Sequence, residues 1–129
     1  MSQNKSVKVG VIGVGHLGKF HIEQYLNVTS AEVVGIFDTD FTIMKNVSRE
    51  YNIKSFDTLD NLLQRCDAVS VVTPTINHYS VANTALDYGC HTFIEKPITQ
   101  TIEQARKLLE RADQENKLIQ VGHIEQFNP

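Results

Sequence analysis

Three closely spaced glycines near the start of the chain could form a phosphate-binding turn. Gly13, Gly15 and Gly18 follow an apolar run at residues 7–12 and have the spacing G-x-G-x-x-G. In a strand–turn–helix unit the first glycine permits the turn, the second leaves room for a pyrophosphate and the third lets the helix pack closely on the sheet. The pyrophosphate would lie at the helix N-terminus, where free N–H groups meet negative charge. Glycines in such a turn often serve the turn alone, so the spacing by itself leaves both interpretations open.

A carboxylate follows these glycines at a distance that fits the same ligand. Asp38 ends a second apolar run, residues 31–37, and lies 20 residues beyond Gly18. Dinucleotide-binding folds place an acid here to accept hydrogen bonds from the adenosine ribose. No Arg follows Asp38, so a 2′-phosphate would meet uncompensated negative charge, and we expect NAD rather than NADP. Asp also ends strands without binding anything, but the distance from the glycines favours the functional role.

Two further polar segments come directly after apolar runs. Thr73-Pro74 end the run at residues 67–72, because proline cannot donate to a strand ladder. Glu95-Lys96 end the run at residues 91–95. Each segment therefore marks the carboxyl end of a predicted strand.

The apolar patterns predict strands that alternate with helices along the whole chain. The strands are predicted at residues 7–12, 31–38, 53–56, 67–72, 91–95 and 118–122. Buried helix positions are predicted at Gly18, Ile22, Tyr25 and Leu26 in the first helix and at Ile102, Ala105, Leu109 and Ala112 in the last. Helix starts are predicted at Asp40, within residues 57–60 and at Thr101, from residue types that cap helices.

Such alternation is typical of a doubly wound parallel α/β sheet with helices on both faces, the Rossmann dinucleotide-binding fold, here as one domain over residues 1–129. In these sheets ligands bind beyond the carboxyl ends of the strands, where the strand order reverses. The glycines, Asp38, Thr73-Pro74 and Glu95-Lys96 are all predicted at those ends. Their shared location favours a dinucleotide site over a purely structural turn.

Composition excludes several other classes of protein. The net charge is −3 and no block of Lys or Arg is present, so nucleic acid is not an expected partner. No run is long enough to span a bilayer and residues 1–6 lack a signal peptide's apolar segment, so we expect a cytoplasmic protein without a membrane partner. Cys66 and Cys90 have no C-x-x-C spacing and are interpreted as reduced packing residues. No metal-ligand spacing is present, and we predict no metal.

The motifs together resemble the glucose–fructose oxidoreductase, inositol dehydrogenase and rhizopine-catabolism (Gfo/Idh/MocA) family of dehydrogenases. The matching segments are residues 13–18 with His21, Phe37-Asp38, residues 67–69 with Thr73-Pro74 and His78, and Glu95-Lys96-Pro97. They cover nearly the whole chain in the family's order and spacing. The closing residues 121–129 are similar to the branch that oxidises nucleotide-linked amino sugars, of the UDP-N-acetylglucosamine 3-dehydrogenase kind, although Gln126 stands where that branch is expected to carry Arg.

The resemblance implies a role for each polar candidate in NAD-dependent oxidation of a sugar or nucleotide-sugar CH–OH group. His16 and Leu17 would bind the pyrophosphate with the glycines, and Asp38 the adenosine ribose. The residues implied on the nicotinamide side are Thr73, Pro74 and His78, with Glu95 near its ribose. Lys96 would be catalytic and approach the reacting hydroxyl, and the Lys96–Pro97 bond is expected to be cis. The alternatives are that Lys96 pairs with a carboxylate and that His21, on the first helix, is structural; we keep the structural role for His21.

Family members also carry a second α/β domain that forms the substrate wall and usually the subunit interface. This chain ends at Pro129, where that domain would begin, so we expect it to lack the second domain, to be inactive alone and to form a homo-oligomer. A rival hypothesis is a non-catalytic module that senses NAD. Glu95-Lys96-Pro97 argues against it, because a sensor has no need of a lysine at the nicotinamide end.

Overall fold

The structure is a computed structural model that describes residues 6–122. Its strands are β1 (Val7–Ile12), β2 (Ala31–Phe37), β3 (Ala68–Val71), β4 (His91–Glu95) and β5 (Ile119–Gly122). Its helices are α1 (His16–Leu26), α2 (Phe41–Tyr51), α3 (Leu59–Leu63), α4 (His78–Asp87) and α5 (Ile102–Gln114), with a 3₁₀ turn at Thr75–Asn77. Strands and helices alternate as predicted, except between α2 and β3. The similarity to the amino-sugar branch depends mainly on residues 123–129, which lie outside the described residues.

The five strands form one parallel sheet in the order β2-β1-β3-β4-β5. The chain passes from β1 to the edge strand β2 and then returns to place β3 on the other side of β1. The strand order therefore reverses between β1 and β3, and the carboxyl ends of all five strands lie at the same edge of the sheet. This confirms the predicted doubly wound parallel fold.

Two separate apolar cores bury the two faces of the sheet. Successive side chains of a strand point to opposite faces, so Val11 enters one core and Ile12 the other. The first core lies under α1 and α2, whose Ile22, Met44 and Val47 are buried there. The second lies under α3, α4 and α5. Helices thus cover both faces of the sheet and leave space at its carboxyl edge.

The predicted helix caps are confirmed at three helix starts. Asp40 accepts a hydrogen bond from the Ile43 N–H at 3.1 Å. Thr58 and Thr101 likewise accept from backbone N–H groups three residues on, each at 3.1 Å. Each side chain satisfies one of the N–H groups that a helix start leaves unpaired. α1 differs, because its N-cap is Gly15 and has no side chain to accept.

The strand predicted at residues 53–56 is wrong. The segment makes a single parallel bridge, between Ser55 and Ile36 of β2. Two backbone hydrogen bonds surround that bridge, from Ile36 N–H to Lys54 O and from Phe56 N–H to Ile36 O, each at 3.0 Å. The helix cap at Thr58 follows almost at once, so the segment turns away from β2 before a ladder can form.

The apolar faces predicted for α5 and α1 also need correction. In α5 the predicted Ala112 is buried, but the other core residue is Leu108, whereas Leu109 is 45% and Ile102 87% exposed. Leu108 and Leu109 each fit the helical period of the buried face. The packing of α5 against the sheet and α4 decides that Leu108 is the one that is buried. In α1 the predicted Leu26 is 54% exposed and His21 is fully buried. A polar side chain thus occupies a position for which the pattern favoured an apolar one.

Candidate functional site

A pocket of about 470 Å³ opens at the carboxyl ends of β1, β2 and β3, where the strand order reverses. Its lining includes Gly13, Gly15, Asp38, Thr73 and Pro74, which the sequence analysis singled out in three separate segments. Pockets of small-molecule sites span roughly 300–1,000 Å³. The structure therefore brings five predicted residues together around a space large enough for part of a dinucleotide.

The three glycines of the turn have different physical roles. Gly13 has a φ of +92°, and a Cβ there would lie 2.7 Å from the Val72 carbonyl oxygen. A Cβ at Gly18 would lie 1.9 Å from the Gly13 carbonyl oxygen. α1 can therefore pack this closely on the turn only because residue 18 has no side chain. A Cβ at Gly15 would meet nothing within 4 Å. Gly13 and Gly18 are thus needed by the fold, whereas the missing side chain of Gly15 leaves open space at the pocket.

The N-terminus of α1 is a suitable site for an anion. No side chain caps it and its first turn contains no acidic residue. Its first N–H groups therefore have no side-chain acceptor, and the positive end of the helix dipole is not neutralised locally. His16 and Leu17, which the resemblance assigns to the pyrophosphate, are exposed in this first turn. Their direct contact with a ligand stays a prediction.

Backbone hydrogen bonds hold the Asp38 carboxylate beside the glycine turn. Oδ2 accepts from the Val14 N–H and Oδ1 from the Asp40 N–H, each at 2.8 Å. Each carboxylate oxygen can accept more than one hydrogen bond. Asp38 can therefore connect β2 to the turn and still accept hydrogen bonds from a ribose in the pocket.

His78 connects the loop after β3 to the loop after β4. Its Nδ1 faces the carbonyl oxygens of Pro97 at 2.9 Å and Ile98 at 3.2 Å, and its Nε2 faces the Thr73 carbonyl oxygen at 2.9 Å. The ring is 1% exposed and does not line the pocket. The resemblance placed His78 along the cleft; the geometry leads us to expect that it acts by holding the two loops together.

Glu95 belongs to a buried polar network that the sequence did not reveal. Its Oε2 lies 2.6 Å from Nε2 of His21, and the His21 Nδ1 lies 3.0 Å from the Ser70 hydroxyl. The Tyr25 hydroxyl completes the chain at 2.5 Å from Ser70. Burial lowers the pKa of His21, although its hydrogen bond to Glu95 and the Glu95 charge raise it. The structural role predicted for His21 is confirmed, and the only sequence signals of a partner were polar residues on an apolar helix face and in an apolar strand.

Lys96 follows Glu95 at the carboxyl end of β4 and is exposed. Its backbone N–H donates to the Gly122 carbonyl oxygen at 2.9 Å, which extends the pairing of β4 with β5. The Lys96–Pro97 peptide bond is cis, as predicted. Lys96 is not among the residues that line the pocket, because β4 is the next strand beyond β3.

The cysteines lie in the second core and show no sign of reactivity. Burial raises the pKa of the Cys66 thiol to about 12 and that of Cys90 to about 11. The thiolate is the nucleophilic form, so such thiols are inert near neutral pH.

Among residues 6–122 no three His, Cys, Asp or Glu side chains are grouped as metal ligands would be. In the same range no helix combines the length and the apolar character needed to cross a bilayer.

The chain is similar in sequence and in fold to proteins of one oxidoreductase family. Residues 7–123 match the Gfo/Idh/MocA model, described as an oxidoreductase family with an NAD-binding Rossmann fold. The chain is 39% identical over 123 residues to UDP-N-acetylglucosamine 3-dehydrogenase of Acidithiobacillus ferrooxidans, covering 95% of this chain and 39% of the relative. A solved structure of UDP-N-acetylglucosamine 3-dehydrogenase GnnA from that organism has a TM-score of 0.86 at 38% identity, covering 90% of this chain and 38% of that one.

Two further relatives act on inositols according to their names. One is the inositol 2-dehydrogenase/D-chiro-inositol 3-dehydrogenase of Lacticaseibacillus casei, 37% identical over 128 residues, covering 95% of this chain and 37% of the relative. The other is the scyllo-inositol 2-dehydrogenase (NAD(+)) of Bacillus subtilis, 30% identical over 129 residues with the same two coverages. The chain thus spans well under half the length of the relatives it matches.

Proposed function

The chain belongs to the Gfo/Idh/MocA family of oxidoreductases, and from this premise we propose that it binds NAD across the carboxyl ends of its strands as the coenzyme-binding half of a sugar or nucleotide-sugar dehydrogenase. The observation that carries the proposal is the juxtaposition in one pocket of Gly15, the uncapped N-terminus of α1 and the Asp38 carboxylate. These groups match the pyrophosphate and the adenosine ribose of a dinucleotide.

The residues present fit this coenzyme without any displacement of the turn. A Cβ would occupy the space above Gly15, and the N–H groups of the first turn of α1 have no side-chain acceptor. Thr73 and Pro74 line the side of the pocket that leads towards β4. The coenzyme would therefore extend from Asp38 past Gly15 to the ends of β3 and β4.

NAD is proposed over NADP on electrostatic grounds. The Asp38 carboxylate would accept hydrogen bonds from the 2′-hydroxyl of the adenosine ribose and repel a 2′-phosphate. The name of the Bacillus subtilis relative also specifies NAD(+).

The proposed reaction is oxidation of a CH–OH group to a carbonyl. When bound, the nicotinamide supplies the acceptor for the hydride that leaves the carbon. Lys96, exposed beside Glu95, would hold the hydroxyl and share or accept its proton.

The substrate class is proposed from the names of the relatives, which act on a nucleotide sugar and on inositols. We expect no turnover from these 129 residues alone, because one wall of a cleft would leave the substrate largely in water. Cytoplasmic location and a homo-oligomer stay predictions.

Titration with NADH, followed by its fluorescence, tests the coenzyme site. The sharpest variant is Gly15→Val, which adds a side chain only where the ligand would lie, and we expect it to weaken NADH binding more than tenfold. Gly122→Ala is the matched control, since its added Cβ also meets nothing within 4 Å but lies on β5. It should bind NADH within about twofold of the parent chain.

The same titration with NADPH tests the choice of coenzyme. The parent chain should bind NADPH at least tenfold more weakly than NADH, and Asp38→Arg should remove that preference. Equal binding of the two coenzymes by the parent would contradict the role of Asp38. Failure of the parent chain to bind either one would overturn the proposed function.

A further inference from the structure

A chain of four polar side chains, three of them buried and one half-buried, runs beneath the carboxyl edge of the sheet. Tyr25 and His21 lie on α1, Ser70 on β3 and Glu95 at the end of β4. His21 and Ser70 are fully buried and Glu95 is 6% exposed. Burying polar groups costs free energy unless each one is hydrogen-bonded. Among the described residues no buried side-chain nitrogen or oxygen lacks a hydrogen-bond partner.

The direction of each hydrogen bond follows from the chemistry of the groups. Burial lowers the pKa of His21 and so favours the neutral ring, which carries one N–H. The Glu95 carboxylate oxygen accepts, so the proton lies on Nε2 and Nδ1 is the acceptor. Ser70 then donates its hydroxyl proton to Nδ1 and accepts from the Tyr25 hydroxyl. Every proton in the chain has one acceptor, which leaves His21 one favoured tautomer and one orientation.

The network connects the two halves of the proposed coenzyme site. α1 begins at Gly15, where the pyrophosphate would lie, and His21 is six residues farther along the same helix. From there the ring reaches Glu95, the residue before Lys96 on β4. The helix that would bind the phosphates is therefore the helix that holds the carboxylate near the reacting end.

We propose that His21, supported by Ser70 and Tyr25, is a positioning residue that fixes the Glu95 carboxylate for the hydroxyl groups of the ribose next to the nicotinamide. The inference rests on the proposed function, because the ribose is present only if NAD binds as described above. Without the Nε2–H of His21, the Glu95 Oε2 loses the donor that lies 2.6 Å from it and helps to set the orientation of the carboxylate.

Three ligands of increasing length separate this role from general damage to the fold. ADP contains only the adenosine half and the two phosphates, ADP-ribose adds the second ribose, and NADH adds the nicotinamide. His21→Leu should lower the affinity for ADP-ribose and for NADH about tenfold, as expected for the loss of a hydrogen bond with a charged partner. Its affinity for ADP should be unchanged. His21→Gln, whose amide N–H reaches about the position of Nε2, should recover most of the affinity.

Ser70→Ala provides a second variant in case His21→Leu does not fold. It removes the donor to Nδ1 of His21 and should lower the affinity for ADP-ribose severalfold. The affinity for ADP should again be unchanged. The positioning role would be overturned if a variant bound ADP and ADP-ribose equally less tightly than the parent chain, or if its affinity for ADP-ribose were unchanged. It would also be overturned if His21→Gln bound ADP-ribose no more tightly than His21→Leu. Absence of ADP and NADH binding by the parent chain would instead overturn the proposed function and this inference with it.

The tautomer of His21 gives an independent spectroscopic test on the parent chain. The ¹⁵N chemical shifts of the ring at pH 7 should show a protonated Nε2 and an unprotonated Nδ1. A proton on Nδ1 would contradict the hydrogen-bond direction on which the positioning role depends.

Discussion

The glycine turn after β1 and the end of β4 lie at the same edge of the sheet but are built in opposite ways. At the turn, Gly13, Gly15 and Gly18 provide space by having no side chains, and the ligand groups are backbone N–H donors at the start of α1. At the end of β4, the carboxylate of Glu95 contacts His21 of α1, and Ser70 of β3 contacts the other nitrogen of the His21 ring. The turn is local in sequence, whereas the partners of Glu95 are distant in sequence.

This difference determines how each region should respond to substitution. Adding atoms damages the turn, because backbone already occupies the space that a Cβ would need at Gly13 and Gly18. Removing atoms damages the β4 end, because a buried polar group is left without its partner. The predictions below test this contrast in order of decreasing effect.

Gly18→Ala should have the largest effect on stability. The new Cβ would lie 1.9 Å from the Gly13 carbonyl oxygen, so the helix or the turn must move. We expect a loss of about 3 kcal/mol or more in the free energy of unfolding, measured with urea. Gly15→Ala is the matched control and should cost no more than about 1 kcal/mol, because Gly15 is an N-cap, where Ala is less favourable than Gly. Similar losses for the two variants would refute the different roles assigned to these glycines.

His78→Phe should have the next largest effect, at the junction of the loops after β3 and β4. It removes the ring N–H, which donates to the carbonyl oxygen of Thr73 or of Pro97, depending on the tautomer. The expected loss is about 2 kcal/mol in the same unfolding measurement, because one carbonyl oxygen loses its donor and the larger Phe ring must fit a site where the His78 side chain is only 1% exposed. His16→Phe, at an exposed position, should change stability by less than about 0.5 kcal/mol. A tolerated His78→Phe would show that the loops do not depend on the ring.

Asp38→Asn should have an intermediate effect that combines stability and binding. The carboxylate accepts from two backbone N–H groups, and an amide would turn a donor towards one of them. We expect a loss of about 1–2 kcal/mol in stability, together with weaker NADH binding. Asp40→Asn is the control, because Asn caps a helix about as well as Asp. A loss of stability without any change in NADH affinity would make Asp38 purely structural.

The smallest expected effect is a pH dependence from His21. Because burial lowers its folded-state pKa below 6.5, acid adds a proton to the unfolded chain before the folded one. The contribution of the neutral ring is therefore complete above about pH 6.5 and is lost as the pH falls further. Thermal unfolding between pH 8 and pH 5 should show a steeper loss for the parent chain than for His21→Gln. Parallel curves would mean that the ring takes up its proton equally in both states.

Much of the fold was predictable because its signals are local. The glycine spacing, the caps at Asp40, Thr58 and Thr101, and the alternation of strands with helices all depend on residues within a few positions of one another. The position of Asp38 at the pocket followed from the parallel sheet, which brings the carboxyl ends of its strands to one edge. These predictions are confirmed, except that residues 53–56, between α2 and α3, make one bridge rather than the predicted strand.

Predictions that needed a choice between equivalent patterns were less successful. Leu108 and Leu109 fit the period of α5 about equally well, and the packing of α5 on the sheet and α4 buries Leu108. The segment at residues 53–56 has the composition of a strand, but the helix that starts after Thr58 leaves it only one bridge to β2. In both cases the deciding contacts come from another element.

The sequence by itself determined the order of the elements, the parallel sheet and the residues at the carboxyl ends of its strands, because short-range periodicity, turns and caps specify them. Only the tertiary structure decided that His21 holds Glu95, 74 residues away, and that His78 joins two loops rather than lining the pocket. The physical reason is that a buried polar side chain must find its partner wherever the folded sheet places one, and no local pattern records that choice.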